Sequence, residues 1–399
     1  MNRTDARVDV LVVGAGPAGL ALAARLARAG AGRVEVLERE QDPGGMPRHL
    51  HHAGFGRTPL PRLRGPACAR RWVRAAAAAG AAVRTGVTAT GWAGPLCLET
   101  TSPAGLERIT ARAVVLATGA RERPRSARLV PGSRPSGVLT TGELFRTVHE
   151  HGLPVGRRAV VVGAEPVARH AAATLRQAGA DVVAMVTEQP RAAAVPGIPL
   201  LTATTVGELH GRSRLTGVAV HHRDGRTGLL ACDTVVFTGD WIPDHELARR
   251  GGVPLDPGTR GPCVDAAFRT AAPGVFAVGN ALHGIESAAT AAGEGAAATA
   301  PVLAHLAGAP WPESGPALHV RAPLLWVTPN RITGIARRPL LLRSAEPVTA
   351  PVVTAAQDGR TLWRRRFPVR VSPSRSLRLP PDWTACVDPA GGPVLLALG

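Results

Sequence analysis

One short unit near the start of the chain most constrains the fold. Val8-Asp-Val-Leu-Val-Val13 has the composition of a buried parallel strand and runs directly into Gly14-Ala-Gly-Pro-Ala-Gly19. The apolar run Leu20 to Ala29 predicts a helix, Gly30-Ala-Gly32 stops it, and Val34-Glu-Val-Leu-Glu38 predicts a second strand. Each glycine has a mechanical reason. Gly14 turns tightly off the strand, Gly16 lets backbone approach a pyrophosphate, and Gly19 lets helix pack on strand. The helix start offers unpaired N–H groups and a positive dipole end to phosphates. Glu38 closes the second strand 24 residues after Gly14, where a carboxylate can accept both hydroxyls of a ribose. A lone G-x-G-x-x-G is weak evidence. Strand, loop, helix, glycine stop, strand and terminal acid in order specify a dinucleotide-binding unit.

The middle of the chain repeats this unit with changes. Ala159-Val-Val-Val162 predicts a strand, Gly163-Ala-Glu-Pro-Val-Ala168 the turn, a helix runs through Leu175, and Asp181-Val-Val-Ala-Met-Val186 is the next strand. Thr234-Val-Val-Phe-Thr-Gly239 predicts another strand ending in glycine. The second fingerprint glycine is replaced by Glu165 and the third by Ala168. Alanine at the third place is tolerable. Glutamate at the second puts a carboxylate where backbone should meet a pyrophosphate, which argues against NAD(P)H at this place.

Composition closes several other routes. Of 399 residues, 45% are hydrophobic and 19% charged, a globular balance. The 47 basic residues against 29 acidic ones give a formal charge of +18, yet all 47 are arginines, scattered and without interleaved aromatics. That reads as a solvated basic surface rather than a nucleic-acid site. The five cysteines lie far apart with no C-x-x-C pair, as expected of reduced thiols. No apolar run is long enough for a membrane span, and the chain enters its first strand by residue 8, so the expectation is a soluble, cytoplasmic protein.

Two later stretches complete the pattern. Ala113-Val-Val-Leu-Ala-Thr-Gly-Ala120 follows a predicted meander over Leu96 to Thr110 with its turn at Ser102-Pro-Ala-Gly105. Pro273-Gly-Val-Phe-Ala-Val-Gly-Asn280 precedes a small-residue helix predicted from about Glu286 to Leu306. With these, residues 8 to 308 resemble the flavoproteins with two dinucleotide-binding domains, the pyridine nucleotide–disulfide oxidoreductase superfamily. The resemblance implies FAD as cofactor, with the first motif on its ADP half, the Ala-Thr-Gly strand by the pyrophosphate and the late motif on the ribityl chain. It implies FAD contacts for Gly14, Gly16, Pro17, Ala18, Gly19, Glu38, Arg39, Gly44, Gly45, Met46, Thr88, Thr118, Gly119, Gly279, Asn280, Gly284, Ile285 and Glu286. The family's acid in the late motif is Asn280 here, whose amide can still hydrogen-bond a ribityl hydroxyl.

Disulfide reductases of the superfamily carry paired cysteines after the ribose acid or in the second domain. Here Glu40 to His49 holds none and Ala164 to Gly239 holds only Cys232. The chain is closer in kind to the flavoprotein subunits of opine oxidase, hydrogen cyanide synthase and sarcosine oxidase alpha type. That resemblance implies a dehydrogenase subunit oxidising an amine, amino acid or similar small metabolite, with electrons passed to a partner redox subunit or quinone. The rivals are an NAD(P)H-dependent flavin reductase and a non-catalytic FAD-binding scaffold. The stretch Gly44-Gly-Met-Pro-Arg-His-Leu-His-His52 stands where relatives keep their redox cysteines, so Arg48, His49 and His51 are the catalytic candidates, holding an anionic substrate or accepting its proton, with a plain basic surface loop as the alternative. His49, His51 and His52 lack a carboxylate or thiolate close by in sequence, and no metal is expected there.

The expected class is α/β: two Rossmann-like three-layer FAD/NAD(P)-binding domains plus a small C-terminal all-β domain. The FAD-binding domain spans 1–120 and 243–310, with an NAD(P)-binding-like domain at 121–242. After the Pro/Gly-rich linker Gly308 to Pro316, short apolar segments with turn signals, including Gln357-Asp-Gly359, predict the β domain at 316–399.

Overall fold

A computed structural model describes residues 4–55, 63–284, 286–313 and 315–399. The chain forms two units, one of residues 1–48, 54–120 and 242–399, the other of residues 121–241 with the short segment 49–53.

The first unit is built on a seven-stranded sheet. Thr4–Val13 lies near its centre, pairing in parallel with Val34–Leu37 on one side and with Gly105–Leu116 on the other. Ala82–Arg84 extends it beyond Val34–Leu37. The predicted meander and the Ala-Thr-Gly strand turn out to share one strand of 12 residues, Gly105–Leu116. Its first half pairs antiparallel with Cys97–Ser102, and its last three residues pair in parallel with Val275–Ala277. The near-continuous apolar run of Thr4–Val13 is explained by burial on both faces: Val10 and Val12 face one cluster, Leu11 and Val13 the other.

Helix α1 (Pro17–Arg28) packs on the first face, its inner stripe Leu20, Leu22, Ala23 and Leu26 wholly buried. Pro17 pre-sets the first turn, where a missing N–H costs nothing. Helix α2 (Gly65–Ala78) follows. The second unit repeats the plan with a five-stranded parallel sheet in the order Val138–Thr140, Thr234–Phe237, Arg158–Val162, Asp181–Val186, Leu200–Leu201. Helices α3 (Thr141–His149) and α4 (Pro166–Gln177) cover one face. An antiparallel sheet of Thr204–Gly211, Leu215–His222 and Thr227–Ala231 covers the other.

The chain returns to the first unit through the short α5 (Glu246–Arg250) and ends that unit's dinucleotide fold with α6 (Ala288–Leu306). Helix α6 starts after the sequence expectation because Ser287, not Glu286, is the cap, its hydroxyl accepting from the Thr290 N–H at 3.1 Å. Past residue 316 the chain is strand-rich, with a four-stranded sheet, a three-stranded sheet and a pair around a shared core. The Gln357-Asp-Gly359 turn is a two-residue hairpin with φ of +48° at Asp358 and +79° at Gly359. This region packs within the first unit, where Asn330 Oδ1 accepts the Val264 N–H at 2.8 Å.

Candidate functional site

The first crevice lies at the carboxyl ends of Thr4–Val13 and Gly105–Leu116. Gly14 (φ +110°) and Gly19 are demanded by the protein itself. A Cβ on Gly14 would meet the Ala117 carbonyl oxygen at 2.3 Å, and one on Gly19 the Gly14 carbonyl oxygen at 2.1 Å. Gly16 differs, since a Cβ there meets nothing within 4 Å. Gly16 is also the N-cap of α1 and provides no side-chain cap to the first-turn N–H groups. Glu38 stands at the mouth. Its Oε2 accepts the Ala15 N–H at 3.1 Å and its Oε1 the Glu40 N–H at 3.0 Å.

Gly44 and Gly45 lie against this loop. The Gly44 N–H donates to the Ala15 carbonyl at 2.8 Å, and a Cβ on Gly45 (φ +61°) would come within 2.9 Å of the Gly16 Cα. Their close approach is therefore to the chain's own glycine loop. Met46–His49 forms a 3-10 turn. Arg39 is exposed and pairs with Asp244 at 3.1 Å, and Thr118 donates its hydroxyl to the Asp244 carbonyl at 2.6 Å. Gly119 (φ +78°) accepts at its carbonyl from the Asp244 N–H at 2.8 Å. Thr88 is exposed at the start of Thr88–Gly94. Asp244 thus ties together residues singled out in the sequence, although no local pattern marks it.

At the late motif, Gly279 (φ +70°) packs against Ala18, whose Cβ would be 2.6 Å from a Cβ on the glycine. Gly284 is a half-buried bend, and Ile285 lies outside the described residues. Asn280 holds main chain: its Nδ2 donates to the Glu286 carbonyl at 3.2 Å and its Oδ1 accepts the Glu286 N–H at 3.3 Å. Glu286 in turn bonds through its carboxylate to Arg343 and Ser376.

The three catalytic candidates have different partners. Arg48 belongs to the first unit and bonds to the Glu40 carboxylate and the Asp42 carbonyl. His49 and His51 belong to the second. There His49 is 2% exposed with its Nδ1 2.7 Å from the Glu150 carboxylate, a partner about a hundred residues away. His51 is exposed and stacks on His149 with ring centroids 4.2 Å apart, and His52 stacks on His170 at 3.4 Å. Burial and the adjacent His51 lower the His149 pKa. Burial, then His52 and Arg169, pull His170 down to about 4. His283 is fully buried against Glu294 at 3.0 Å. Burial opposes its charge, but the Glu294 carboxylate outweighs that penalty and raises its pKa.

The second crevice is built alike but filled. Glu165 is the N-cap of α4, and its Oε2 accepts the Ala164 N–H at 3.0 Å. The same carboxylate would lie 2.8 Å from a Cβ on Gly163 and 3.1 Å from one on Gly239, so it covers the space over both glycines. Arg128 lies beside Gly239, donating to the Thr238 and Gly239 carbonyls at 3.1 and 2.7 Å and lying over the Phe237 ring. Burial lowers its pKa against the attraction of Asp240, Glu122 and Glu165. The Glu122 carboxyl, pushed up by burial, accepts the Gly142 N–H at the start of α3. The sequence marked Glu165, but nothing in it marked Arg128 or Glu122 as its neighbours.

Two parallel sheets, each with a helix N-terminus over its carboxyl edge, give this chain the mixed α/β fold of FAD/NAD-binding oxidoreductases. Residues 8–295 match the model of the pyridine nucleotide-disulphide oxidoreductase family, and the chain belongs to that family. It is similar to the sarcosine oxidase subunit alpha of Rhizobium meliloti (strain 1021), 32% identical over 275 residues, which cover 64% of this chain and 26% of that subunit. The chain thus spans about a quarter of the length of that curated relative. Among solved structures it is similar to thioredoxin reductase from Lactococcus lactis, with TM-score 0.63 and 20% identity, covering 75% of this chain and 99% of that one. It is similar also to L-proline dehydrogenase from P. horikoshii, with TM-score 0.57 and 19% identity, covering 77% of this chain and 57% of that one. Among the described residues, no helix is long and apolar enough to cross a membrane.

Proposed function

We propose that this chain is an FAD-dependent dehydrogenase subunit that oxidises an amine or amino acid at a carbon bearing nitrogen and passes the electrons to a partner subunit or quinone. The observation that carries the reading is the contrast at the second glycine of each fingerprint: open space over Gly16, and a carboxylate in the corresponding crevice at Glu165. The ADP half of FAD fits the first crevice, with its pyrophosphate at the uncapped start of α1 and its ribose on Glu38, and does not fit the second. When bound, FAD supplies a two-electron acceptor for the hydride that leaves the substrate carbon, while the nitrogen lone pair forms the imine.

The chain's own residues divide the remaining work. Gly16 and the α1 amides hold the diphosphate, and Glu38 orients the ribose. Arg48, tied to Glu40, steadies the loop after Gly45. His51 is the candidate proton acceptor, since its ring is exposed while His49 is buried on Glu150. The similarity to a sarcosine oxidase subunit supports a secondary amine as substrate class, and the scattered free cysteines accord with redox chemistry that does not run through a dithiol. Glu165 opposes the reading as an NAD(P)H-dependent flavin reductase. A non-catalytic FAD-binding subunit is the second reading, favoured by the engagement of Arg48 and His49 in internal pairs.

Anaerobic titration of the FAD-loaded protein tests all three. Bleaching of the visible spectrum by sarcosine or a related N-alkyl amino acid, with no response to NADH or NADPH, is the expected result. Bleaching by stoichiometric nicotinamide would establish the reductase instead. A yellow protein inert to both would leave the non-catalytic subunit.

A further inference from the structure

The late motif is gripped from two sides. On one side it rests on α1: Gly279 is pressed against Ala18, and Gly295 in α6 is so close that a Cβ would come within 2.0 Å of the Ala18 carbonyl oxygen. Ala18 is two residues past Gly16, so this loop borders the open crevice. On the other side it meets the C-terminal strands. Asn280 holds the Glu286 peptide through paired hydrogen bonds of 3.2 and 3.3 Å, and the Glu286 carboxylate accepts from the Arg343 guanidinium and the Ser376 hydroxyl.

Arg343 comes from the strand Leu340–Ser344 and is 2% exposed. Its Nη1 donates to the Pro373 carbonyl at 2.8 Å, its Nε to Ser376 Oγ at 3.1 Å, and its guanidinium lies 5.1 Å from the centroid of the Trp326 ring. The same indole stacks with His283 at 5.3 Å. A buried guanidinium is costly unless its donors are matched, and apolar side chains of similar volume would hold two layers together as well. What the matched ion pair adds is direction. It fixes the Glu286 carboxylate and so the orientation of the Glu286 peptide. Asn280 then fits for a chemical reason: one side chain must both donate to and accept from that peptide, and a carboxylate only accepts. Asn280 and Arg343 thus hold Glu286 by its peptide and by its carboxylate.

We propose that the C-terminal β region is a positioning element for the first crevice, in which Arg343 and Ser376 fix Glu286, and Asn280 transmits that position to the loop beside α1. The proposal rests on the FAD reading above. It gives the C-terminal strands a function in setting the affinity and reduction potential of the cofactor.

The test uses the full chain, stripped of flavin and reconstituted with FAD, as wild type and as Asn280→Asp, Ser376→Ala and Arg343→Lys. FAD dissociation, the visible spectrum, the midpoint potential and the thermal unfolding of the apoprotein are measured together. Asn280→Asp sets a carboxylate against the Glu286 carbonyl and is expected to raise the dissociation constant about tenfold or more. It should also move the potential negative, because an added anion disfavours reduced flavin. Arg343→Lys keeps the charge, loses the fork and should shift the same readouts, with Ser376→Ala smaller but in the same direction. Ser376→Ala leaves Arg343 Nε without its acceptor, so apoprotein unfolding should shift modestly while the protein stays folded. Folded Asn280→Asp and Ser376→Ala proteins with wild-type dissociation, spectrum and potential would overturn the proposal, even if Arg343→Lys fails to fold. A wild type that takes up no FAD would sink the functional reading and the positioning role with it, a result distinct from any difference between variants.

Discussion

A Cβ on Gly45 would stand 2.9 Å from the Cα of Gly16, while a Cβ on Gly16 itself would touch no atom of the protein within 4 Å. The two glycines share one crevice: Gly45 is required by the chain itself, and on the function proposed above Gly16 is required by the cofactor. Gly16→Ala is therefore expected to leave apoprotein unfolding within about 0.5 kcal/mol of wild type. It should reduce FAD affinity at least about tenfold, because a methyl group enters the diphosphate path. Gly45→Ala, at φ +61°, should destabilise the apoprotein itself by about 1–3 kcal/mol. Thermal unfolding without FAD, read beside flavin uptake, separates the two. Equal destabilisation by both would remove the distinction.

Replacing Glu165 should open the second crevice. Glu165→Gly removes both bulk and charge from above Gly163 and Gly239, and NADH or NADPH should then reduce the bound flavin, to which wild type is expected to be inert. Glu165→Gln retains the bulk and should gain much less. Anaerobic absorbance titration reads the outcome, and no gain in Glu165→Gly would mean that Arg128 or another feature closes the site.

The histidine stack of the second unit makes its stability depend on pH with a definite sign. His170 titrates near 4 in the folded chain against 6.5 for an ordinary histidine, owing first to burial and then to His52 and Arg169. The unfolded chain therefore binds more protons between these values. Stability conferred by neutral His170 is fully present above about 6.5 and is lost as pH falls toward about 4. Thermal unfolding from about pH 7.5 to about pH 4 should show this loss, and His170→Phe should flatten it. A His170 ring resonance titrating near 6.5 would refute the assignment.

Glu35 carries a charge in the core of the first sheet. Its side chain is 1% exposed, with one oxygen 2.7 Å from Arg84 and the other 3.1 Å from Arg33. Arg84→Met leaves that carboxylate half-matched and should cost about 3 kcal/mol in denaturant unfolding. The double variant with Glu35→Met should recover most of the loss, which measures the pair rather than the site.

What was legible in the sequence was local. The span from Val8 to Glu38 reads correctly because its contacts are short-range: strand, turn, helix and strand follow without interruption, and the Gly14 and Gly19 contacts lie within the unit or in the adjoining strand. The Asp358-Gly359 hairpin was legible for the same reason. The length of Gly105–Leu116 was not, because one strand changes partners midway and so mimics two. The fate of Asn280 was hidden by Glu286, whose orientation is set by Arg343, 57 residues further on. A single arginine in the apolar run Leu340–Ser344 was the one local signal. His49, His51 and His52 read as one basic cluster, yet their partners Glu150, His149 and His170 are about a hundred residues away, beyond any local pattern.

The strand Gly105–Leu116 also imposes an order on how the protein is made. Its last three residues wait for Val275–Ala277, which leaves the ribosome only after every strand of the second unit's parallel sheet has been synthesised. A nascent chain of 241 residues already contains all of those strands, while the sheet beneath the first glycine loop is still one strand short. The sheet under the first glycine loop is therefore completed only after the strands of the second unit's parallel sheet have been made.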